Sequence, residues 1–284
     1  MPRLTALFAA AVLPLLLLGA QQPPGHRHEA ATRQPRQTRQ TPSAAVRPVS
    51  APSGVSGPKG LPGWWQLAFD DEFNDQDLDT FVWSPGWFGT GLSGPVDPHE
   101  TQGYDSRNVT ESGGYLHLAL TSTYGALAST NPHDGRPFGG YEFTGPAVLE
   151  ARVFTPGGAT VDNWPAFWTD GQNWPVTGEI DAMEGLSGKL CYHVHDSAGG
   201  LGSCTSLSPG WHTYAAFWNP EKHRVTFYYD GVDVASEPFA NHRAPQYLVL
   251  DNTSMTTPVP ESMLVDWVRV WQPVLVAGDA RPRG

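Results

Sequence analysis

The sequence predicts an all-β domain, folded as an antiparallel β-sandwich of the jelly-roll kind. Short segments rich in Val, Tyr, Phe and Leu recur along the chain, and Gly, Pro, Asn and Asp separate them. No stretch shows a sustained helical period with capping residues. Many short strands joined by frequent turns are typical of sandwiches and jelly rolls, so helical folds are disfavoured.

Four segments give the clearest strand patterns: residues 115–120, 148–153, 224–229 and 264–271. Asp230 and Gly231 directly follow the third segment and precede a short alternating run. An Asp-Gly pair in this setting is a strong signal for a two-residue hairpin turn. The sequence therefore predicts an antiparallel strand pair at this place.

The N-terminal region predicts export. Residues 1–20 contain Arg3, an apolar run over residues 4–18 and small residues at the end, which is typical of a secretory signal peptide. The run is short for a membrane span and Pro14 interrupts it, so a secreted protein without stable membrane insertion is expected. Retention through an uncleaved anchor is the lesser alternative.

Composition divides the rest of the chain into three parts. Residues 21–60 are rich in Gln, Pro, Arg, Thr and Ser and predict a disordered linker, since such a segment buries too little apolar surface to fold. Residues 61–273 are long enough for one domain with a large core, and residues 274–284 predict a disordered tail. A single compact domain of this kind is expected to be a monomer.

The charge of the predicted domain limits its partners. Residues 61–273 contain eight Lys or Arg residues against twenty-six Asp or Glu residues, a formal charge of −18. Nucleic acid binding depends on basic surface, so nucleic acid is excluded as a partner. Acidic polysaccharides are disfavoured for the same reason, and a neutral glycan fits best.

Three carboxylates lie close together in an otherwise apolar, strand-like segment. Alternate side chains of a strand face opposite sides, so Glu179 and Asp181 share one face and Glu184 has the wrong parity. One extra residue, a β-bulge at Ala182 and Met183, brings Glu184 to the same face, and bulges are frequent next to active sites. A pair of carboxylates on one face is what glycoside hydrolysis requires.

Aromatic residues accompany the carboxylates. Trp164, Trp168 and Trp174 lie just upstream, and flat indole rings suit a sugar-binding cleft. Trp164 and Trp168 are four residues apart around Pro165, so either both contact the cleft or one of them packs in the core, and Trp174 lies on a loop expected to overhang the cleft. Trp87, in a Gly-rich segment, either forms a distal part of that cleft or covers a sheet edge.

The chain contains two cysteines, Cys191 and Cys204. An even count in an exported chain predicts a disulfide, with two free buried thiols as the alternative. Closing a loop of about 14 residues stabilises the fold by roughly 3 kcal/mol in the chain-entropy model.

Four blocks, in this order along the chain, resemble glycoside hydrolase family 16: residues 65–74; Asn108-Val109 with Tyr115-Leu116; residues 164–168 with 178–184; and residues 265–270. The resemblance implies a concanavalin A-like jelly roll and endo-acting hydrolysis of a β-glycan with retention of configuration. It implies Glu179 as nucleophile, Glu184 as general acid/base and Asp181 as hydrogen-bond partner of the nucleophile, without a cofactor. The bulged motif resembles the laminarinase side of the family, which makes β-1,3-glucan the first expected substrate.

The same resemblance implies further site residues. Glu100 and Gln102 resemble the polar pair that contacts sugar hydroxyls. The family places a histidine near the acid/base; His195 is the first choice, and His193 is the alternative. Glu72 and Asp266 lie in terminal strands that pair in the family, where a structural calcium often binds.

Two other functions stay open from the sequence. A lectin-like, catalytically silent glycan-binding domain would keep the tryptophans and lose a carboxylate, whereas all three carboxylates are present here. A transglycosylase would use the same residues and deliver the glycosyl unit to another sugar instead of water. Product analysis separates this alternative from hydrolysis.

Overall fold

The computed structural model describes residues 51–137, 139–241 and 243–274. The predicted signal peptide, residues 21–50 of the predicted linker and all but the first residue of the predicted tail lie outside the described residues. Within these ranges, no helix has the length and apolarity that a membrane span needs.

The described residues form seventeen strands and one turn of 3-10 helix, Ser106–Asn108. The strands are β1 (Trp65–Asp71), β2 (Leu92–Ser93), β3 (Gly103–Asp105), β4 (Val109–Ser112), β5 (Tyr115–Ala119), β6 (Tyr124–Ser129), β7 (Glu142–Phe143), β8 (Ala147–Thr155), β9 (Trp164–Gly171), β10 (Glu179–Leu186), β11 (Lys189–Asp196), β12 (Gly199–Cys204), β13 (Gly210–Asn219), β14 (Arg224–Tyr229), β15 (Val232–Pro238), β16 (Gln246–Thr253) and β17 (Ser262–Pro273).

The strands form two sheets. The first sheet has the order β15-β14-β13-β8-β17-β5-β4, with β1 also paired to β17. The second sheet has the order β12-β11-β10-β9-β16-β6-β3-β2, with β7 also paired to β16. Neighbouring strands are antiparallel except for the parallel pair of β3 and β6. The predicted all-β sandwich is confirmed, and the predicted hairpin turn joins β14 to β15.

One large apolar core lies between the sheets. Ile180, Phe167 and Leu250 of the second sheet pack in the same buried cluster as Leu149 and Val265 of the first. Each large apolar side chain buried in this way stabilises the fold by about 1.5–3 kcal/mol. Because side chains alternate along a strand, the residues between these core positions face outward. The outer face of the second sheet is therefore free for polar groups.

The segment before β1 packs against the outer face of the first sheet. The Lys59 backbone amide donates a hydrogen bond to Oε1 of Glu150 at 2.8 Å. Val55 and Leu61 lie in an apolar cluster with the buried Trp271. The predicted linker boundary at residue 60 is therefore wrong by several residues, because this segment covers apolar side chains that would otherwise face water.

The predicted disulfide joins Cys191 of β11 to Cys204 of β12, with an S–S distance of 2.04 Å. The two residues are also direct register partners in the β11–β12 pair. The crosslink therefore fixes the outermost strand of the second sheet to its neighbour.

Replacing both cysteines by alanine is expected to lower the free energy of unfolding by about 3 kcal/mol, from the entropy of the closed loop. For a domain of this size, that change corresponds to a midpoint lower by about 6–12 °C. Thermal unfolding of the double variant, followed by circular dichroism, measures the effect. An unchanged midpoint would contradict a stabilising role for this crosslink.

Candidate active site

A cleft of about 590 Å³ opens on the outer face of the second sheet. Of the predicted site residues, its lining includes Glu100, Trp164, Trp168, Trp174, Glu179, Asp181, Glu184 and His195. Gln102 is not part of the lining; its side chain is buried beside the sheet. The fold thus brings together residues from β9, β10 and β11 and from two loops.

The predicted β-bulge on β10 puts the three carboxylates on one face. Asp181 pairs with Trp168 of β9, and the next register pair after it is Met183 with Phe167. Ala182 and Met183 are both buried in the core. The extra residue therefore returns Glu184 to the cleft beside Asp181, as the sequence predicts.

Glu179 and Asp181 are joined by a hydrogen bond, so the ionisation of each affects the other. Burial is the main cause that raises the pKa of both groups, and neighbouring carboxylates raise them further. A hydrogen bond between the two lowers the pKa of Glu179 and raises that of Asp181. Asp181 is almost fully buried, so the shared proton belongs on Asp181. When the pair holds one proton, Asp181 donates to Glu179; burial, together with Asp170 and Glu184, still raises the pKa of Glu179 to about 8.

Glu184 is held from two sides. The Trp164 indole Nε1–H donates to Oε1 of Glu184 at 3.1 Å. Nδ1 of His193 lies 2.6 Å from the other oxygen, Oε2. An indole nitrogen is only a donor, so Oε1 accepts this hydrogen bond, while Oε2 shares a second one with Nδ1 of His193. These contacts fix the direction in which the carboxyl group faces the cleft.

The histidine next to Glu184 is therefore His193, and the first choice from the sequence, His195, is wrong for that position. Nε2 of His195 instead lies 3.4 Å from Oδ2 of Asp181 and 3.9 Å from Oε1 of Glu179. The register of β10 against β11 is the reason. Glu184 pairs with Cys191, and His193 lies two positions from Cys191 on the same face of β11, whereas His195 pairs with Glu179 at the other end of the motif. Burial lowers the pKa of His195, which favours the neutral imidazole.

Trp168 forms one wall of the cleft. Its Nε1–H donates to Oδ1 of the buried Asp251 at 2.6 Å. Its ring stacks on Trp87, with centroids 5.7 Å apart and an angle of 17° between the planes. Trp87 therefore lines the cleft and does not only cover a sheet edge.

The remaining predicted contacts lie at the rim. Trp174 is 57% exposed, lines the cleft and forms a side-chain hydrogen bond with Glu179 that lowers the pKa of the carboxyl group. Glu100 accepts hydrogen bonds from the Tyr104 hydroxyl at 2.6 Å and from the Val96 amide at 2.8 Å. Glu100 is thus held in place with its carboxylate beside the open space.

Asp170 and Asp251 are cleft carboxylates that sequence reasoning missed. Asp170 has the same strand parity as Trp164 and Trp168, so an alternation count along β9 could have found it. Asp251 follows an apolar run on β16. A carboxylate is rarely buried without a partner, so its place in such a strand indicates a functional or paired group.

Asp170 gives the stability of the domain a dependence on pH. The pKa of Asp170 is raised from 3.8 to about 6, and burial of the carboxyl group is the main cause. Between these two values the folded state keeps a proton that the unfolded chain has released, so the free energy of unfolding falls as pH rises. Above the folded pKa, the loss is complete and constant.

Asp170→Asn is therefore expected to be more stable than the wild type at pH 8, by roughly 2 kcal/mol, and about equal to it at pH 3.5. The amide oxygen can still accept the hydrogen bond that the Gly171 amide gives to Oδ1. Urea unfolding at both pH values measures the difference. A variant that is less stable than the wild type at pH 8 would contradict this expectation.

The residues proposed for calcium do not form one ligand set. Asp266 forms an ion pair with Arg152 at 2.6 Å, and Glu72 forms one with Arg269. Each carboxylate is thus held by a different arginine, so these contacts give the calcium prediction no support.

The comparisons with known proteins agree with this geometry. Residues 143–196 match the family model described as the XgeA-like, catalytic GH16 domain. The endo-1,3(4)-beta-glucanase xgeA of Emericella nidulans is 43% identical over 44 residues, which cover 14% of this chain and 7% of that protein. The chain thus spans far less than two thirds of the length of such curated relatives.

Solved structures share the fold. The endo-beta-1,3-glucanase from Pyrococcus furiosus superposes with a TM-score of 0.59 at 24% identity, covering 75% of this chain and 96% of that one. Rv0315 of Mycobacterium tuberculosis, described as an immunostimulatory antigen and pseudo beta-1,3-glucanase, gives 0.57 at 24% identity, covering 73% and 99%. Together with the family match, these findings confirm that the chain resembles glycoside hydrolase family 16, in its central block and in its fold.

Proposed function

We propose that this domain is a retaining, endo-acting hydrolase of a neutral β-glucan, with β-1,3-glucan as the first substrate to test. The observation that carries the proposal is the arrangement of Glu179, Asp181 and Glu184 on one face of a cleft large enough for sugar units. The names of similar proteins, which act on β-1,3- or β-1,3(4)-glucan, support the choice of substrate.

The composition of the cleft supports a neutral substrate. Its lining, within the described residues, contains carboxylates, tryptophans and histidines but no lysine or arginine. A sulfated or uronic glycan would meet Asp97, Glu100, Asp170 and Asp251 without a compensating cation. Tryptophan faces and carboxylates, by contrast, suit the apolar faces and hydroxyl groups of a neutral sugar.

In the first chemical step, Glu179 attacks the anomeric carbon, and Glu184 donates its proton to the departing glycosidic oxygen. The bond to the leaving sugar breaks as the bond to the Glu179 carboxylate forms. Asp181 keeps its proton and donates a hydrogen bond to Glu179, which lowers the pKa of the nucleophile and so counteracts the effect of burial. The product of this step is a glycosyl ester of Glu179 with inverted configuration.

In the second step, Glu184 removes a proton from water, and the water oxygen attacks the anomeric carbon. The ester bond breaks, Glu179 leaves as a carboxylate and the configuration is inverted again, so the product keeps the β form. His193 and Trp164 hold Glu184 in one orientation for both proton transfers. The function is proposed to be exercised outside the cell, in keeping with the predicted signal peptide.

Reducing-end release from β-1,3-glucan, mixed-linkage β-glucan and agarose tests the proposal, with Glu179→Gln as the inactive control. We expect release from β-1,3-glucan, and its loss in the variant. Chromatography of the products separates hydrolysis from transglycosylation, which yields chains longer than the substrate. Glucan binding without release from any substrate would contradict the proposal and favour the lectin-like alternative.

A further inference from the structure

β12 is an edge strand with no part in the core. It pairs with β11 alone in the strand order of the second sheet, and all six of its residues are exposed. Its register on β11 places Gly200 opposite His195 and Gly202 opposite His193, the two histidines of the cleft. The disulfide at Cys204 fixes the register of β12 on β11. Because β12 buries no side chain, core packing does not explain why this register is fixed.

Gly200 leaves room for one imidazole ring. A Cβ atom at Gly200 would lie 2.7 Å from Nδ1 and 2.8 Å from Cε1 of His195, closer than van der Waals contact allows. The three atoms nearest to that Cβ position all belong to the His195 ring. The backbone of Gly200 is outside the left-handed region, so its conformation does not itself call for glycine. The position of the His195 ring does.

The opposite end of the same ring faces the catalytic pair. Nε2 of His195 lies 3.4 Å from Oδ2 of Asp181 and 3.9 Å from Oε1 of Glu179. The ring therefore lies between the backbone of β12 on one side and two carboxylates on the other. Oδ2 of Asp181 is buried and has no hydrogen-bond partner among the described residues. The position of the His195 ring therefore sets how closely Nε2 approaches this oxygen.

We propose that Gly200 is a positioning residue, which sets the distance of the His195 imidazole from Glu179 and Asp181 by letting the ring rest on the backbone of β12. The inference rests on the proposed function, because it assigns the ring a part in the chemistry of that same site. The Cys191–Cys204 disulfide, four residues from Gly200, keeps β12 in the register that this contact needs.

Gly200→Ala tests the proposal. We expect kcat on β-1,3-glucan to fall about tenfold or more, as is usual when a group in an active site is displaced by about 1 Å, with KM and the thermal midpoint close to those of the wild type. We also expect the imidazole 1H–15N correlations of His195 to shift. Gly158→Ala is the matched control, because a Cβ atom there meets nothing within 4 Å.

A second variant separates the ring contact from a general effect on the strand. In the His195→Ala background the three ring atoms nearest to the new methyl group are absent. Adding Gly200→Ala there is therefore expected to change kcat by less than about twofold, as a double-mutant cycle requires. A further loss of similar size in that background would overturn the proposal, as would unshifted His195 resonances in the single variant. If the wild type cleaves no glucan, the proposed function fails, and the resonances still decide whether Gly200 sets the ring.

Discussion

Glu179→Gln is expected to lower kcat on β-1,3-glucan by at least about four orders of magnitude, roughly the loss seen when a nucleophile is removed. The amide has nearly the same shape as the carboxylate but forms no glycosyl ester. Binding depends on the tryptophan walls and on the other polar groups of the cleft, which the substitution leaves in place. We therefore expect the dissociation constant for a β-1,3-glucan oligosaccharide, measured by calorimetry, to change by less than about tenfold, or 1.4 kcal/mol.

Glu237→Gln is the matched control, because Glu237 lies on β15 of the other sheet. It should leave both kcat and binding unchanged. Substantial turnover by Glu179→Gln, above what contaminating wild type could supply, would remove Glu179 from the role of nucleophile.

Glu184→Gln should lose the proton that the leaving oxygen needs. We expect kcat/KM on β-1,3-glucan to fall by about 10²–10⁴-fold, the usual contribution of general acid catalysis. A nitrophenyl oligosaccharide releases a weakly basic leaving group that needs little protonation. The loss on that substrate should therefore be smaller by at least about tenfold, as expected for a step whose rate depends on proton donation.

Paired kinetics on the two substrates measure this difference. Glu184→Ala should in addition regain turnover of the nitrophenyl substrate when azide is added, since a small anion can attack the glycosyl ester without a general base. Equal losses on both substrates, with no effect of azide, would show that Glu184 is not the acid/base.

Much of the fold and the central motif could be predicted from the sequence. Strand alternation placed Glu179 and Asp181 on one face, and their parity against Glu184 required a bulge, which the register of β10 shows at Ala182 and Met183. The cysteine pairing and the hairpin at β14 and β15 followed from equally local signals. Each of these features depends on residues close to one another in the chain.

The contacts between strands could not be predicted in this way. Whether His193 or His195 faces Glu184 depends on the register of β11 against a bulged partner, which no local pattern gives. Asp251 reaches Trp168 across 83 positions of sequence, and only the strand order of the second sheet makes them neighbours. Gln102 had the right spacing from Glu100, but its burial removes it from the cleft.

The electrostatics of the site also required the structure. Three clustered carboxylates imply that their pKa values differ, but the sequence does not show which two of them share a hydrogen bond. In the structure the shared hydrogen bond joins Glu179 and Asp181, and Asp181 is the most buried of the three carboxylates. Glu184 is held instead by a tryptophan and a histidine.

The stereochemistry of the first product tests the central claim most directly. A proton NMR spectrum of β-1,3-glucan, recorded within minutes of adding the enzyme, shows the new reducing end before mutarotation mixes its two forms. Two successive displacements at Glu179 predict that the β anomer appears first and the α anomer follows slowly. Initial appearance of the α anomer would contradict the retaining mechanism, and with it the roles proposed for Glu179 and Glu184.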